Sequence, residues 1–135
     1  MELTIIMQPR AKARARTVRH GGKVITFTPE STVHAENLIR DAVITRPASS
    51  NNFFEAPTPI RLEATFYRTH PISVKREMPT TKPDVDNYYK LCADALEGFL
   101  YDNDSQVTTA VIKKRYGYPP RIVINIAEDK ASEVF

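Results

Sequence analysis

The segment from residue 86 to residue 99 can bury only one side if it is helical. Its apolar residues follow helical spacing and form one stripe, made of Tyr88, Leu91, Cys92, Ala95, Leu96 and Phe99. Gly98 supplies a stop signal at the C-terminal end. The sequence therefore predicts an amphipathic helix from about Asp86 to Glu97, packed by this stripe against a sheet.

The rest of the chain predicts strands around this helix and one other. Strands are expected at residues 3–7, 24–28, 60–69, 107–116 and 122–126, and an earlier helix, begun by Ser31 or Thr32, ends before Pro47. We expect the first two strands to form a long-looped hairpin with arginines at its tip. The order β-β-α-β-α-β-β predicts an α+β fold with two helices packed on a mixed or antiparallel sheet. A length of 135 residues predicts a single domain over residues 1–135.

Composition limits the kinds of protein this chain can be. No apolar run approaches the roughly 20 residues of a membrane span, so no membrane partner is expected, and no signal peptide is evident. The one cysteine, Cys92, cannot form an internal disulfide, which fits a cytoplasmic location, and its place on the apolar stripe predicts a core residue.

Positive charge is concentrated near the N-terminus, although the net charge is only +3. The stretch from Gln8 to Val24 contains six basic residues and no acidic one. Such a patch suits a polyanion such as nucleic acid, but a solvated basic loop has the same composition.

Two aspartates stand two residues apart where the second helix begins. Asp86 and Lys90 are neighbours at i, i+4 on the face away from the apolar stripe, and Asp84 lies just past Pro83. If residues 84–86 are extended, both carboxylates and the lysine share one pocket mouth. The alternative is structural: Asp86 caps the helix, and Asp84 lies favourably near the positive end of the helix dipole.

A second acidic cluster, around Asp102 and Asp104, follows the helix and favours a functional site. Neither cluster has the glycine and glutamate that an EF-hand loop requires, and the three histidines and Cys92 are too scattered for a zinc site. Three aspartates offer only oxygen ligands, which suit Mg²⁺ or Mn²⁺. Acidic clusters in a basic protein are the combination expected of a metal-dependent nuclease.

These stretches, in this order, resemble the signature of the RusA family of Holliday junction resolvases. The matching stretches are P-x-x-K-x-R-x-R at 9–16, FTP at 27–29, KPDVDN at 82–87, Lys90, DALEG at 94–98 and DSQV at 104–107. The family often has two adjacent aspartates before x-Q-V, whereas here Asn103 precedes Asp104. We assign the family's role to Asp104 because its spacing to Gln106 and Val107 is kept, with Asp102 as the alternative.

The resemblance implies a small homodimeric endonuclease that nicks four-way DNA junctions with Mg²⁺, for which Mn²⁺ can substitute, and that needs no nucleotide cofactor. It implies that Asp84, Asp86 and Asp104 bind the metal and that Lys90 is also needed for catalysis. A metal-activated water would attack the scissile phosphate. The residues expected to bind DNA phosphates are Arg10, Lys12, Arg14 and Arg16, with Lys75, Arg76 and Lys82 nearer the cut.

Two other functions fit the same residues. One is a nuclease acting on other branched or flap DNA, and the other is a non-catalytic, basic DNA-binding protein whose aspartates cap a helix. Recombination, repair and the clearing of phage DNA branches are all compatible roles. Phe53 and Phe54, in the loop before the third strand, are expected to form a dimer contact, to separate bases at the crossover, or to cover the core.

Overall fold

A computed structural model describes residues 1–47 and 52–131. The elements in chain order are β1 (Glu2–Ile6), β2 (Arg16–His20), β3 (Lys23–Phe27), α1 (Glu30–Ile44), β4 (Ile60–Arg68), α2 (Val85–Leu96), a 3₁₀ turn (Asp104–Gln106), β5 (Val107–Tyr116) and β6 (Arg121–Glu128). The α+β class is confirmed, and the predicted order holds with one further strand, β2.

The main sheet has four strands in the order β1-β6-β4-β5. The strand β6 runs antiparallel to both β1 and β4, whereas β4 and β5 are parallel. The sheet is therefore mixed, and β5 lies at its edge. Both helices pack against the sheet, and their apolar stripes meet side chains of alternating strand positions in one core that includes Ile39, Leu62, Leu91 and Ile124.

The basic segment is organised differently from our prediction. The strand β1 pairs with β6, and β3 pairs instead with β2 in a separate two-stranded hairpin. The tip of this hairpin is Gly21-Gly22, where both glycines have positive φ, and not the arginine stretch. All ten strand residues of the hairpin are exposed, so its pairing does not depend on core burial.

The first helix begins one residue after Pro29, and no side chain caps it. The expected cap, Thr32, is instead buried in the first turn, and its Oγ1 accepts a hydrogen bond from the Ala13 N–H at 3.3 Å. This bond attaches the basic segment to α1. Part of the loop that precedes β4, residues 48–51, lies outside the described residues.

Within residues 1–47 and 52–131, neither helix is long and apolar enough to cross a membrane. Cys92 is fully buried in the core as predicted, and burial raises the pKa of its thiol to about 12. Phe54 packs against the core, and its backbone bridges to Tyr101, whereas Phe53 is exposed.

Candidate active site

A cavity of about 490 Å³ lies between α2 and the edge strand β5. Its polar lining includes three of the residues expected in the catalytic set, Asp86, Lys90 and Asp104. The remaining residues around it are Asn87, Tyr89, Ala93, Asp94, Val107 and Ala110. The structure thus brings together charged side chains from the two acidic clusters, which are separated by almost the whole of α2.

Asp84 lies beside this cavity and not in it. It is the N-cap residue of α2 and lines a neighbouring hollow with Lys82, Pro83 and Asn87. Asn87 borders both hollows, so the two are adjacent. The separation arises because Val85 is already helical, whereas the expected shared pocket mouth required residues 84–86 to be extended.

Neither aspartate at the start of α2 acts as a helix cap through its side chain. The N-cap position belongs to Asp84, and no side-chain cap hydrogen bond is formed there. Asp86 is inside the first turn, where a negative charge is favoured by the helix dipole. The structural alternative, with Asp86 as the cap, is therefore wrong, and both carboxylates are exposed.

Asp104 is held in place by a tight local network. Asn103 and Gln106 form a capping box around the 3₁₀ turn, and the buried Gln106 amide donates to the carbonyls of Phe54 and Thr58 at 2.9 and 3.1 Å. The Asp104 N–H donates to Glu97 Oε2 at 2.9 Å. Gln106 thus fixes the turn that presents Asp104 to the cavity.

The environment of the Asp104 side chain disfavours its charge. Burial, with the nearby carboxylates of Glu97 and Asp94, raises the pKa of Asp104 despite a hydrogen bond from the Tyr101 hydroxyl at 2.8 Å. Burial and Asp104 likewise raise the pKa of Tyr101. Burial is also the main cause that raises the pKa of Tyr89 to about 12. Negative charge is crowded at this wall, which is the condition that a bound cation would relieve.

Lys90 and Lys12 both contact Asp94, which belongs to the DALEG stretch but was assigned no role from the sequence. Lys90 Nζ lies 3.6 Å from Asp94 Oδ1, and Lys12 Nζ lies 3.0 Å from Asp94 Oδ2 and 3.1 Å from Glu36 Oε2. The spacing of Asp94, four residues after Lys90 and eight after Asp86, was the signal that pointed to this face. Lys12 therefore joins α1 to α2, whereas the sequence predicted a free phosphate ligand.

The other residues expected to bind DNA are exposed. They are Arg10, Arg14, Arg16, Lys75, Arg76 and Lys82, and none forms a salt bridge with another residue in the described part of the chain. Asp102 lies outside the cavity, where its Oδ2 accepts a hydrogen bond from the Ala56 N–H at 2.8 Å.

The chemistry of the donor set suits a hard cation, because every acidic group at the cavity offers carboxylate oxygen. Among residues 1–47 and 52–131, no three or more His, Cys, Asp or Glu side chains are grouped closely enough to hold a metal ion. The carboxylates of Asp86 and Asp104 share the cavity, and that of Asp84 lies in the adjoining hollow.

Comparison with known proteins agrees with the motifs on this surface. The chain is 30% identical over 139 residues to the uncharacterized protein YqaN of Bacillus subtilis (strain 168), and the match covers 97% of this chain and 98% of that protein. The model of the family described as "Endodeoxyribonuclease RusA" matches residues 7–127, which include both helices and all residues of the cavity. The chain belongs to the RusA family of endodeoxyribonucleases.

Proposed function

We propose that this protein is a Mg²⁺-dependent, structure-specific endonuclease that resolves four-way DNA junctions by paired symmetric nicks. The observation that carries the proposal is the cavity lined by Asp86, Lys90 and Asp104, in a chain that belongs to the RusA family. A family of endodeoxyribonucleases supplies the reaction class, and the cavity supplies acidic and basic groups suited to it.

Mg²⁺ is the cation that best suits the carboxylates, and Mn²⁺ would substitute for it. Proteins often hold Mg²⁺ with one or two carboxylates and leave its other positions to water and substrate phosphates. Asp86 and Asp104 would hold it at the cavity, with Asp84 as the neighbouring carboxylate. When bound, the cation lowers the pKa of water and offsets negative charge on the phosphate.

Lys90 supplies positive charge at the cavity. Its side chain is 65% exposed, and a contact of 3.6 Å with Asp94 holds it only loosely at the cavity. Such an ammonium group can turn toward a phosphate oxygen with little loss of interaction energy. We propose that Lys90 stabilises charge on the phosphate or on the leaving oxygen.

The exposed basic residues would hold the arms of the junction. Arg10, Arg14 and Arg16 precede or begin the β2–β3 hairpin, and Arg19 and Lys23 extend the positive charge along it. Lys82 lines the same hollow as Asp84, which places one more cation beside the proposed cut. Contacts of this kind position DNA without reading its sequence.

The substrate accounts for the proposed oligomeric state. A four-way junction has approximate two-fold symmetry, and its resolution requires two nicks. A homodimer with C2 symmetry supplies two active sites related by the same symmetry. The proposed assembly is therefore a homodimer.

The test compares a four-way junction, a Y-fork and a linear duplex of matched sequence, each with Mg²⁺ or with EDTA. Symmetric paired nicks in the junction, dependent on Mg²⁺, are the expected result. Asp84→Asn, Asp86→Asn and Asp104→Asn should each abolish cleavage while junction binding persists. Asp41→Asn, the same charge change at an exposed position of α1, is the control.

Three outcomes would reject the proposal. Cleavage of the fork with equal or greater efficiency than the junction would favour a nuclease for other branched DNA. Full activity in all three aspartate variants would show that cleavage does not depend on these carboxylates. No cleavage by the wild type with Mg²⁺ would favour a DNA-binding protein without catalysis.

A further inference from the structure

The backbone that leads into Asp84 is held by two cations of the main sheet. Arg68 donates from Nη1 to the Lys82 carbonyl at 2.8 Å and from Nη2 to Thr81, at 3.3 Å to its carbonyl and 2.7 Å to its Oγ1. Lys114 Nζ donates to the carbonyls of Thr81 and Pro83 at 2.9 and 3.0 Å. Three consecutive carbonyls, those of residues 81–83, thus accept hydrogen bonds from two side chains.

The sheet places both cations on the side where α2 packs. Lys114 pairs in register with Phe66, and Arg68 follows two positions later on β4, so both side chains project from the face that carries the core. Arg68 also lies over the ring of Tyr116 at 5.7 Å, and Tyr116 stacks on His70 with ring centroids 4.3 Å apart. These contacts fix the guanidinium where the segment 81–83 passes.

Downstream, Asp84 is fixed by the helix that it begins. Its carbonyl accepts the first hydrogen bonds of α2, from the N–H groups of Asn87 and Tyr88 at 3.1 and 3.3 Å. The ring of Tyr88 stacks on Phe66 with centroids 5.2 Å apart. Asp84 therefore lies between two anchored stretches of backbone, although its own side chain makes no cap hydrogen bond.

We propose that Arg68 and Lys114, with the carbonyls of residues 81–83, form a carbonyl clamp that positions Asp84 beside the active-site cavity. The catalytic meaning of the clamp rests on the proposed function, whereas its effect on the backbone does not. Arg68 and Lys114 are positioning residues: their donors are directed at main-chain oxygens, and they act on the reaction through Asp84.

Their carbonyl partners distinguish Arg68 and Lys114 from the neighbouring basic residues on the same strands. Arg61 on β4 and Lys113 on β5 both form ion pairs with Glu63, at 3.5 and 3.0 Å. Neither donates a hydrogen bond to residues 81–83. A loss of charge at Lys113 is therefore a matched control for the same change at Lys114.

The experiment compares wild type with Lys114→Met and Lys113→Met, and adds Arg68→Lys as a second clamp variant. Amide hydrogen exchange of a peptide spanning residues 80–88 measures the backbone directly and needs no substrate. Mn²⁺ binding followed by electron paramagnetic resonance reports the metal site in the absence of DNA. Steady-state cleavage of a four-way junction separates kcat from KM, and thermal unfolding reports global stability.

In Lys114→Met we expect faster amide exchange that is confined to residues 80–88. The affinity for Mn²⁺ should fall by about tenfold, which is the lower end of the effect of removing a residue that orients a metal ligand. The kcat should fall by about tenfold or more with KM for the junction within about twofold. Arg68→Lys should show the same pattern more weakly, because a lysine keeps the charge but not the fork of donors. Lys113→Met should match wild type in exchange and in Mn²⁺ binding.

Unchanged exchange and unchanged Mn²⁺ affinity in Lys114→Met would overturn the clamp, as would a rise in KM alone, which indicates a DNA contact. A general loss of protection across the chain would also overturn it, because the role would then be structural, and Arg68→Lys provides the independent check. If wild type fails to cleave the junction, the proposed function fails, but exchange at residues 80–88 still decides whether the clamp exists.

Discussion

Lys12 offers a sharp test because sequence and structure assign it different partners. Its position in the basic segment predicts a phosphate ligand, whereas its ammonium lies 3.1 Å from Glu36 and 3.0 Å from Asp94. The Glu36 side chain is only 9% exposed. We therefore predict that Lys12→Met destabilises the fold and leaves DNA affinity nearly unchanged.

The magnitude follows from the burial of the acidic partner. Removing one member of a fully buried ion pair costs about 3–5 kcal/mol, and an exposed pair contributes about 0–1 kcal/mol. The Lys12 side chain is 28% exposed, so an intermediate loss of about 2 kcal/mol in the free energy of unfolding is expected. For a chain of this size, that corresponds to a fall in Tm of about 8 °C.

Urea unfolding at pH 7 measures this loss, and Arg14→Met serves as the comparison. Arg14 is exposed, so its removal should change stability by less than about 0.5 kcal/mol. The double variant Lys12→Met, Glu36→Gln should be no less stable than Lys12→Met, because the uncompensated charge is then removed. A loss below about 0.5 kcal/mol for Lys12→Met, together with a fall in DNA affinity like that of Arg14→Met, would refute the reasoning.

The pH dependence of the same pair has a definite sign. Burial lowers the pKa of Lys12, but hydrogen bonds to Asp94 and Glu36 outweigh this effect and leave the pKa raised. Because the pKa of Lys12 is higher in the folded state than in the unfolded state, its charge stabilises the fold fully at pH values below the unfolded pKa. This stabilisation is lost as the pH rises through the folded pKa. The difference between wild type and Lys12→Met should therefore persist at pH 7–9 and shrink above about pH 10.

Three further predictions concern individual side chains. Asp102→Asn should retain junction cleavage, because Asp102 contacts Ala56 outside the cavity; a loss equal to that of Asp104→Asn in the same assay would contradict this. Gln106→Ala should lower the free energy of unfolding by about 1–2 kcal/mol in urea titrations, since it leaves two partly buried carbonyls without donors. Arg14→Met should reduce the slope of log K against log salt for DNA binding by about 0.9, and an unchanged slope would argue against a phosphate contact.

Local periodicity accounts for the elements that the sequence predicted well. The edge strand β5 was predicted with its observed bounds, and α2 within a residue at each end, because alternation and helical spacing are properties of neighbouring residues. Long-range pairing carries no such signal. The partner of β1 is β6, more than a hundred residues away, and so the pairing of the first predicted strand was wrong.

The missed strand β2 has a different cause. Its residues Arg16–His20 are all exposed, and three of the five are basic or histidine, so no apolar alternation marks it. It forms by pairing with β3 across Gly21-Gly22. The equally exposed β3 was predicted because it contains a run of β-branched and aromatic residues, which β2 lacks.

At the site, spacing predicted which residues share a helix face but not which elements meet. Asp86 and Lys90 lie on the predicted face, and their convergence with Asp104 depends on the return of the chain through the 3₁₀ turn into β5. Asp84 diverges from Asp86 because the helix begins one residue earlier than predicted. A shift of one residue at a helix start turns a side chain by about 100°, which decides the hollow that it faces.

The basic residues of this chain have two kinds of partner, the protein itself or, as proposed, DNA, and charge alone does not distinguish them. Lys12, Arg68 and Lys114 direct their donors to acceptors of the protein itself, and they fix the elements that border the cavity. Arg10 and Arg14 are exposed and form no salt bridge within the described residues. A count of lysines and arginines therefore overstates the charge available to DNA, because some of these cations already bind carboxylates and carbonyls of the protein near the site. Substitutions in the first group should act on stability or kcat, and substitutions in the second on DNA affinity and its salt dependence.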